Sequence, residues 1–276
     1  MSDRSAPGGD RLSARRGKSE QKENHMAPHT VTRLLGVVAV AGAAAVTGCA
    51  ADAAHADDAA EYPWHTDIVA TTFWVGEIFD PTAEDGSQVM SAYDANWLES
   101  YGGCDGVSAD GDCRTEPRTA DNGYFPSNMT PRENPFYLDL PFDDVNDETA
   151  FAQRGEVIPW ADTSPYSEHV SDPSFSLMKN RWVRLSSGDK TCYGQIQDAG
   201  PANYHDADYV FGSDDRRPAD NEFDGAGLDV SPALNGCLGF RELDGQDDRV
   251  DWQFVDEDDV PPGPWRTIIT TSGVQQ

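Results

Sequence analysis

From Tyr62 onward, apolar and polar residues alternate in short stretches broken by Gly, Pro and Asp, the pattern of short, half-buried β-strands. Residues 67–79 (DIVATTFWVGEIF) are rich in β-branched and aromatic side chains and predict a strand with a bulge. Residues 134–142 (NPFYLDLPF) alternate too, and their prolines limit the strand's length. The clearest hairpin is RWVRL-SSGDK-TCYGQIQ over 181–197, two alternating strands joined by a Gly-containing turn. AGLDV (226–230) is a further short strand, after which Ser231 stands where an N-cap belongs and Pro232 at the first helical position. In RVDWQFVD (249–256), Val250, Trp252 and Phe254 fall on one face and charges on the other. AYDANWL (92–98) predicts one short helix, 102–127 a loop, and 143–180 an irregular insertion lying over the domain. Six or seven short strands and one or two short helices make a mainly β chain, and turn-punctuated strands of this kind favour a closed barrel.

The first sixty residues have a different character. Residues 33–50 (RLLGVVAVAGAAAVTGCA) put a basic residue before an apolar run of roughly fifteen residues, too short for a comfortable span of about 20. That is the layout of a signal peptide, and Val46-Thr47-Gly48-Cys49 resembles the lipobox of bacterial lipoproteins. The resemblance implies cleavage before Cys49, a lipid on its thiol, and residence on the outer face of the cell membrane. The alternative is an ordinary secretory signal that happens to hold a cysteine. Met26 opens a compact signal (MAPHTVTRLLG), so translation is expected to start there. The domain expectation is therefore a signal over 1–48, an acidic Ala/Asp tether over 49–63, and the barrel over 64–276.

Four cysteines follow Cys49, and an even number in an exported chain implies two disulfides with three pairings available. The pairing taken is Cys104–Cys113, closing a short Asp/Gly loop, with Cys192–Cys237 tying two aspartate-bearing segments together. The chain of 276 residues carries a net charge of −29, which repels nucleic acid and anionic lipid headgroups and removes both as partners. Acids scattered along the whole chain read as solubility rather than as a binding site. DGVSADGD (105–112) and LDGQDD (243–248) lack EF-hand spacing and read as solvated loops; neither a metal nor a cofactor is expected.

The order GQIQDAGP, AGLDVSPALNGCLG, RVDWQFVD resembles the double-psi β-barrel of expansins, barwin-like proteins and rare-lipoprotein-A-like proteins. VATTFW and AYDANWLESYGGC resemble the opening strand, early helix and glycine loop of that barrel. The likeness covers most of 64–142 and 181–265 but not the insertion. It implies a six-stranded barrel with an open polysaccharide groove in which Asp229 lies, as the general acid of the hydrolytic members and the acid needed for wall loosening in expansins. Alternation alone turns Leu228 and Val230 to the core and Asp229 away from it, and a purely helix-capping Asp229 is the plainer alternative. The resemblance sets Asp198 beside that acid, to bond sugar hydroxyls or to hold Asp229; a turn aspartate is the other reading.

The resemblance also offers Thr72 as a groove hydroxyl and Trp74, Tyr193 and Tyr209 as stacking aromatics, although such aromatics more often pack in a core. The family's catalytic base would fall at Val75, which is apolar, with Glu77 and Asp80 nearby but out of register. An acid without a base implies binding or loosening of a wall glycan, peptidoglycan first, without hydrolysis. A lytic transglycosylase using Asp229 is the enzymatic alternative, and a non-catalytic envelope scaffold the third. About a dozen residues follow Pro264, which leaves out the second sugar-binding domain of expansins and weakens the case for insoluble cellulose. The expected partners are a glycan and, only through the Cys49 lipid, a membrane; the expected state is a monomer.

Overall fold

Six strands close on themselves in the computed structural model, which describes residues 62–82, 86–109, 111–220, 223–243 and 248–276. In chain order the strands are β1 (His65–Thr72), β2 (Val107–Ala109), β3 (Asp112–Arg114), β4 (Tyr137–Leu140), β5 (Trp182–Ser187), β6 (Lys190–Ala199), β7 (Leu228–Val230) and β8 (Arg249–Val255). The helices are α1 (Trp97–Tyr101), α2 (Glu148–Val157), α3 (Ala207–Val210) and α4 (Pro232–Leu238). The barrel runs β1-β7-β4-β6-β5-β8, while β2 and β3 form a separate hairpin. Two of its neighbouring pairs are parallel, β1 with β7 and β4 with β6; the rest are antiparallel. Exchanging β1, β4 and β5 for β6, β7 and β8 leaves this ring unchanged, and carries one parallel pair onto the other. The barrel is therefore mixed, closed and pseudo-twofold, compatible with a double-psi arrangement.

Alternation decides which faces meet. Leu138 and Leu140 of β4, Leu228 and Val230 of β7, and Val250, Trp252 and Phe254 of β8 are all buried in one core. The hairpin, β7, β8 and the start of α4 fall where the sequence puts them, and Ser231 Oγ accepts from Leu234 N at 3.2 Å as the expected cap. Strand β1 is shorter than expected. It ends at Thr72, and 73–79 turn away to bring Phe73 and Val75 into a second apolar cluster with Trp97, Tyr101 and Tyr137. Gly76 allows this turn: its φ is +91°, and a Cβ there would stand 2.9 Å from Cys113 Sγ.

The insertion is not draped over the barrel but joined to its core. Ala150, Ile158, Trp160, Leu177 and Met178 belong to the main apolar cluster, and α2 is a helix the sequence reading did not predict. Its organising side chain is Arg154, fully buried, whose guanidinium donates to the carbonyls of Val170, Asp144, Phe175, His169 and Asp172 at 2.7–2.9 Å. It also pairs with the Asp144 carboxylate at 3.4 Å. Asp105 departs from the solvated-loop expectation as well. It is buried and held by Arg118 at 2.9 Å and by the Tyr137 hydroxyl at 2.8 Å.

Both expected disulfides are formed, Cys104–Cys113 and Cys192–Cys237. Two such bonds fit an oxidising compartment outside the cytoplasm. Among the described residues no helix is long and apolar enough to cross a membrane. Cys49, the signal peptide expected over 1–48 and most of the expected tether lie outside the described residues.

Replacing Arg154 by Ala removes one charged donor from five carbonyls and from the buried Asp144 carboxylate. It is expected to cost about 3–5 kcal/mol in urea unfolding. A loss below about 1 kcal/mol would mean the insertion does not depend on this hub.

Candidate functional site

The register of four adjacent strands lines up four polar side chains. Strand β1 pairs in parallel with β7 so that Thr71 lies beside Asp229. Strand β4 pairs in parallel with β6 so that Asp139 lies beside Asp198, after a register shift at Leu138/Asp139. Between these pairs, β7 and β4 run antiparallel with Leu138 opposite Val230, which sets Asp139 across from Asp229. The outcome is a row, Thr71–Asp229–Asp139–Asp198, across β1, β7, β4 and β6. Its members point away from the core because the residues flanking Asp139 and Asp229 point into it. The pseudo-twofold exchange maps Thr71 onto Asp198 and Asp229 onto Asp139, so the row is built from two related halves.

Each carboxylate is held differently. Asp139 is buried, and its Oδ1 accepts the Asp229 amide at 2.7 Å, standing in for a backbone carbonyl. Gly200 comes so close that a Cβ there would lie 2.6 Å from Asp139 Oδ2. Asp198 is 5% exposed, and its Oδ1 accepts from Ala92 N at 2.7 Å and Ala199 N at 2.8 Å. Asp229 alone keeps part of its surface in solvent, and the Thr71 hydroxyl donates to its Oδ1.

Burial first, then the charges of neighbouring acids, shifts all three carboxyls toward their neutral forms. Burial raises Asp139 well above the usual carboxylate range, and the charges of Asp229 and Asp198 add to it. Burial takes Asp198 up to about 7 against the lowering effect of its two amide bonds. Asp229 is raised to about 8, by burial and then by the charges of Glu77, Asp198 and Asp220. At neutral pH Asp229 can therefore carry a proton at the surface, the condition of a general acid.

The residues expected at the site scatter. Asp198 is in the row but buried, so it steadies the loop at Ala92 and bears on Asp229 by charge rather than meeting a ligand directly. Thr72 is one step out of line: its Oγ1 accepts from Asn235 Nδ2 at 2.9 Å, and the threonine that meets Asp229 is Thr71. Trp74 is partly buried and donates from Nε1 to Cys113 O at 3.1 Å, which fixes it on the disulfide loop. Tyr193 is partly exposed, with its ring 5.1 Å from that of Trp265. It stands five residues before Asp198 on β6, about 16 Å away by strand rise.

Tyr209 is corrected outright. It is wholly buried, its hydroxyl accepts from Trp252 Nε1 at 2.9 Å, and it packs edge-on against His65, so no sugar can stack on it. Val75 is buried and apolar as the sequence implied, but Glu77 is closer to the chemistry than its spacing indicated. Its Oε2 accepts from Trp74 N at 3.4 Å, and its charge bears most strongly on Asp229. The sequence reading passed over Asp139 and Thr71. The signal for Asp139 was present: an acid between two core leucines in YLDL.

No family model, curated protein or solved structure matches this chain. Among the described residues, no group of three His, Cys, Asp or Glu could hold a metal ion.

The raised carboxyls make a directional prediction. Groups whose folded pKa lies above the unfolded value near 3.8 stabilise the fold fully below that value, and the contribution is lost as pH rises through about 7 and about 8. His65, lowered to about 4 by burial, acts the other way, but only below its unfolded value of 6.5. Between about pH 6.5 and about pH 8.5 the parent should therefore lose stability in urea unfolding. Asp198→Asn, which keeps an Oδ1 acceptor for both amides, should lose less and be the more stable protein at the upper pH. An unchanged slope would show that Asp198 does not hold a proton there.

Proposed function

We propose that this chain is an exported, expansin-like double-psi barrel that binds or loosens a cell-wall polysaccharide, peptidoglycan first, without hydrolysing it. The observation that carries the reading is the partly exposed Asp229, backed by Asp139 and Asp198 and bonded by the Thr71 hydroxyl. A neutral carboxyl and a hydroxyl side by side can both donate to and accept from sugar hydroxyls. The pseudo-twofold ring supports the double-psi assignment, and the resemblance of residues 190–201 and 226–240 to expansin-like barrels supports the glycan. The lipobox-like stretch ending in Cys49 would keep such a domain beside the wall.

One observation favours a second reading. An Asp229 raised to about 8 is a competent proton donor to a glycosidic oxygen, as a lytic transglycosylase requires. Inverting hydrolysis would also need a base about 6.5–9.5 Å from the acid, and the aligned position is the apolar Val75.

Sedimentation with purified peptidoglycan, chitin and cellulose tests the binding, and mass analysis of the soluble fraction tests the chemistry. Retention on peptidoglycan with no released fragments is expected, with weaker retention of Asp229→Asn. Anhydro-muropeptides that fall by about 10²–10⁴-fold in Asp229→Asn would replace the non-hydrolytic reading with the transglycosylase. Failure to sediment with any of the three polymers would remove the glycan proposal.

A further inference from the structure

The strand pairing that sets Thr71 beside Asp229 also fixes where two loops begin. Strands β1 and β7 are parallel, so the chain leaving β1 after Thr72 and the chain entering β7 before Leu228 stand at opposite ends of the Thr71–Asp229 pair. The first is the 73–79 turn; the second holds Asp220 and residues 223–227. Both come back toward the outward face of the pair, because Glu77 of the one and Asp220 of the other bear on Asp229 by charge.

Each loop carries one phenylalanine that the core does not take up. Phe79 is 58% exposed and Phe223 is 49% exposed, whereas Phe73, Phe136, Phe142 and Phe254 are buried. The backbones beneath the two rings are held. In the first loop Gly76 N donates to Gln88 O at 2.9 Å and Phe79 N to Gly86 O at 3.1 Å, which pins it as a narrow hairpin. In the second, Gly227 N donates to Val69 O at 3.0 Å and Ala226 N to Phe223 O at 3.1 Å. Phe223 has a φ of +42° and Asp224 one of +56°, left-handed values uncommon outside glycine. Backbone strain of this kind gathers at ligand-binding segments.

An exposed ring on a fixed backbone is a platform with little left to order when a ligand arrives. Its neighbours decide what lies on it. Asp80 and Asp224 are exposed beside the two rings, so an anionic lipid surface is repelled. A sugar ring is uncharged, turns C–H groups toward an aromatic face and offers hydroxyls from its edge to nearby acids. We propose that Phe79 and Phe223 are stacking subsites on either side of Asp229, and that the ligand is a linear stretch of glycan at least three sugar rings long rather than a single sugar. The inference rests on the glycan reading and adds to it two contact residues and a length.

Titration calorimetry of the full chain with the dimer and the hexamer of N-acetylglucosamine tests it, beside sedimentation with peptidoglycan. The hexamer is expected to bind at least about tenfold more tightly than the dimer. Phe79→Ala and Phe223→Ala, at exposed positions, should each weaken the hexamer about three- to tenfold, and Phe79→Tyr and Phe223→Tyr should bind it as the parent does. Equal affinity of the parent for dimer and hexamer, or Ala variants that bind the hexamer as tightly as the parent, overturns the proposal and leaves the glycan reading standing. Should the parent sediment with peptidoglycan without binding the hexamer, undiminished sedimentation of the double Ala variant overturns it in the same way. A parent that binds neither oligomer nor polymer removes both. Ala variants that lose only binding to phosphatidylcholine vesicles would assign the rings to a lipid surface instead.

Discussion

The barrel closes at one seam through a side chain. Strands β4 and β7 share a single paired position, Leu138 with Val230, and the next amide along, that of Asp229, donates to the Asp139 carboxylate rather than to a carbonyl. On the other side of that pair the ladder is ordinary, with Ser231 N donating to Tyr137 O at 2.9 Å. Buried amides must be satisfied, so a short polar side chain is required at position 139 for the two halves of the ring to meet. The same requirement brings a second acid under Asp229, and β6 supplies a third through its register with β4. The candidate site is thus a by-product of how the ring is closed.

Two other buried acids are held differently from the row. Asp105 has Arg118 and Asp144 has Arg154, each guanidinium within ion-pair distance. In the row, Asp198 has only the influence of Lys179, whose ammonium is bonded to Gln197, and the main charges bearing on Asp229 are acidic. Buried acids without a counter-charge keep their protons instead of ionising, which stores proton-donating capacity at the cost of stability above neutral pH. Titratable groups perturbed in this way cluster at functional sites. Even Asp144, with its arginine, is held up to about 6 by burial, so burial is the dominant effect and repulsion the refinement.

What the sequence made legible follows the same physics. Strict alternation exposed the β5–β6 hairpin, β8 and the inward turn of Leu228 and Val230, because one-sided burial writes a period of two. Helix α2 was hidden because its buried residues are Ala150 and Arg154, so a charged side chain sits where an apolar stripe would be read. Its one local signal was Asp147, whose carboxylate accepts from Thr149 N and Ala150 N as an N-cap. Likeness to a family motif points to Thr72, while the alternation set by Ala70 in the core puts Thr71 outside. Tyr209 was misplaced because no period distinguishes a groove aromatic from one packed on Trp252. The pairing of Asp139 with Asp198 depends on contact between strands far apart in the chain, which a single sequence does not record.

The disulfides explain why such a costly arrangement can persist. Cys192 lies in β6, six residues before Asp198, and Cys237 in α4, eight residues after Asp229, so the loop they close contains two of the three acids. Closing a loop of 45 residues removes denatured-state entropy worth about 4 kcal/mol in the chain-entropy model. That is comparable with the penalty of holding one or two carboxyls out of water, where each unit of pKa shift corresponds to about 1.4 kcal/mol. The second bond, Cys104–Cys113, braces the turn at Gly76 from outside, and the hairpin it belongs to holds Trp74 through Cys113 O. Covalent closure thus acts on both flanks of Asp229: along β6 and α4 on one side, and along the 73–79 turn that carries Glu77 on the other. A barrel without these ties would gain most by separating its acids; one with them can keep the acids in register.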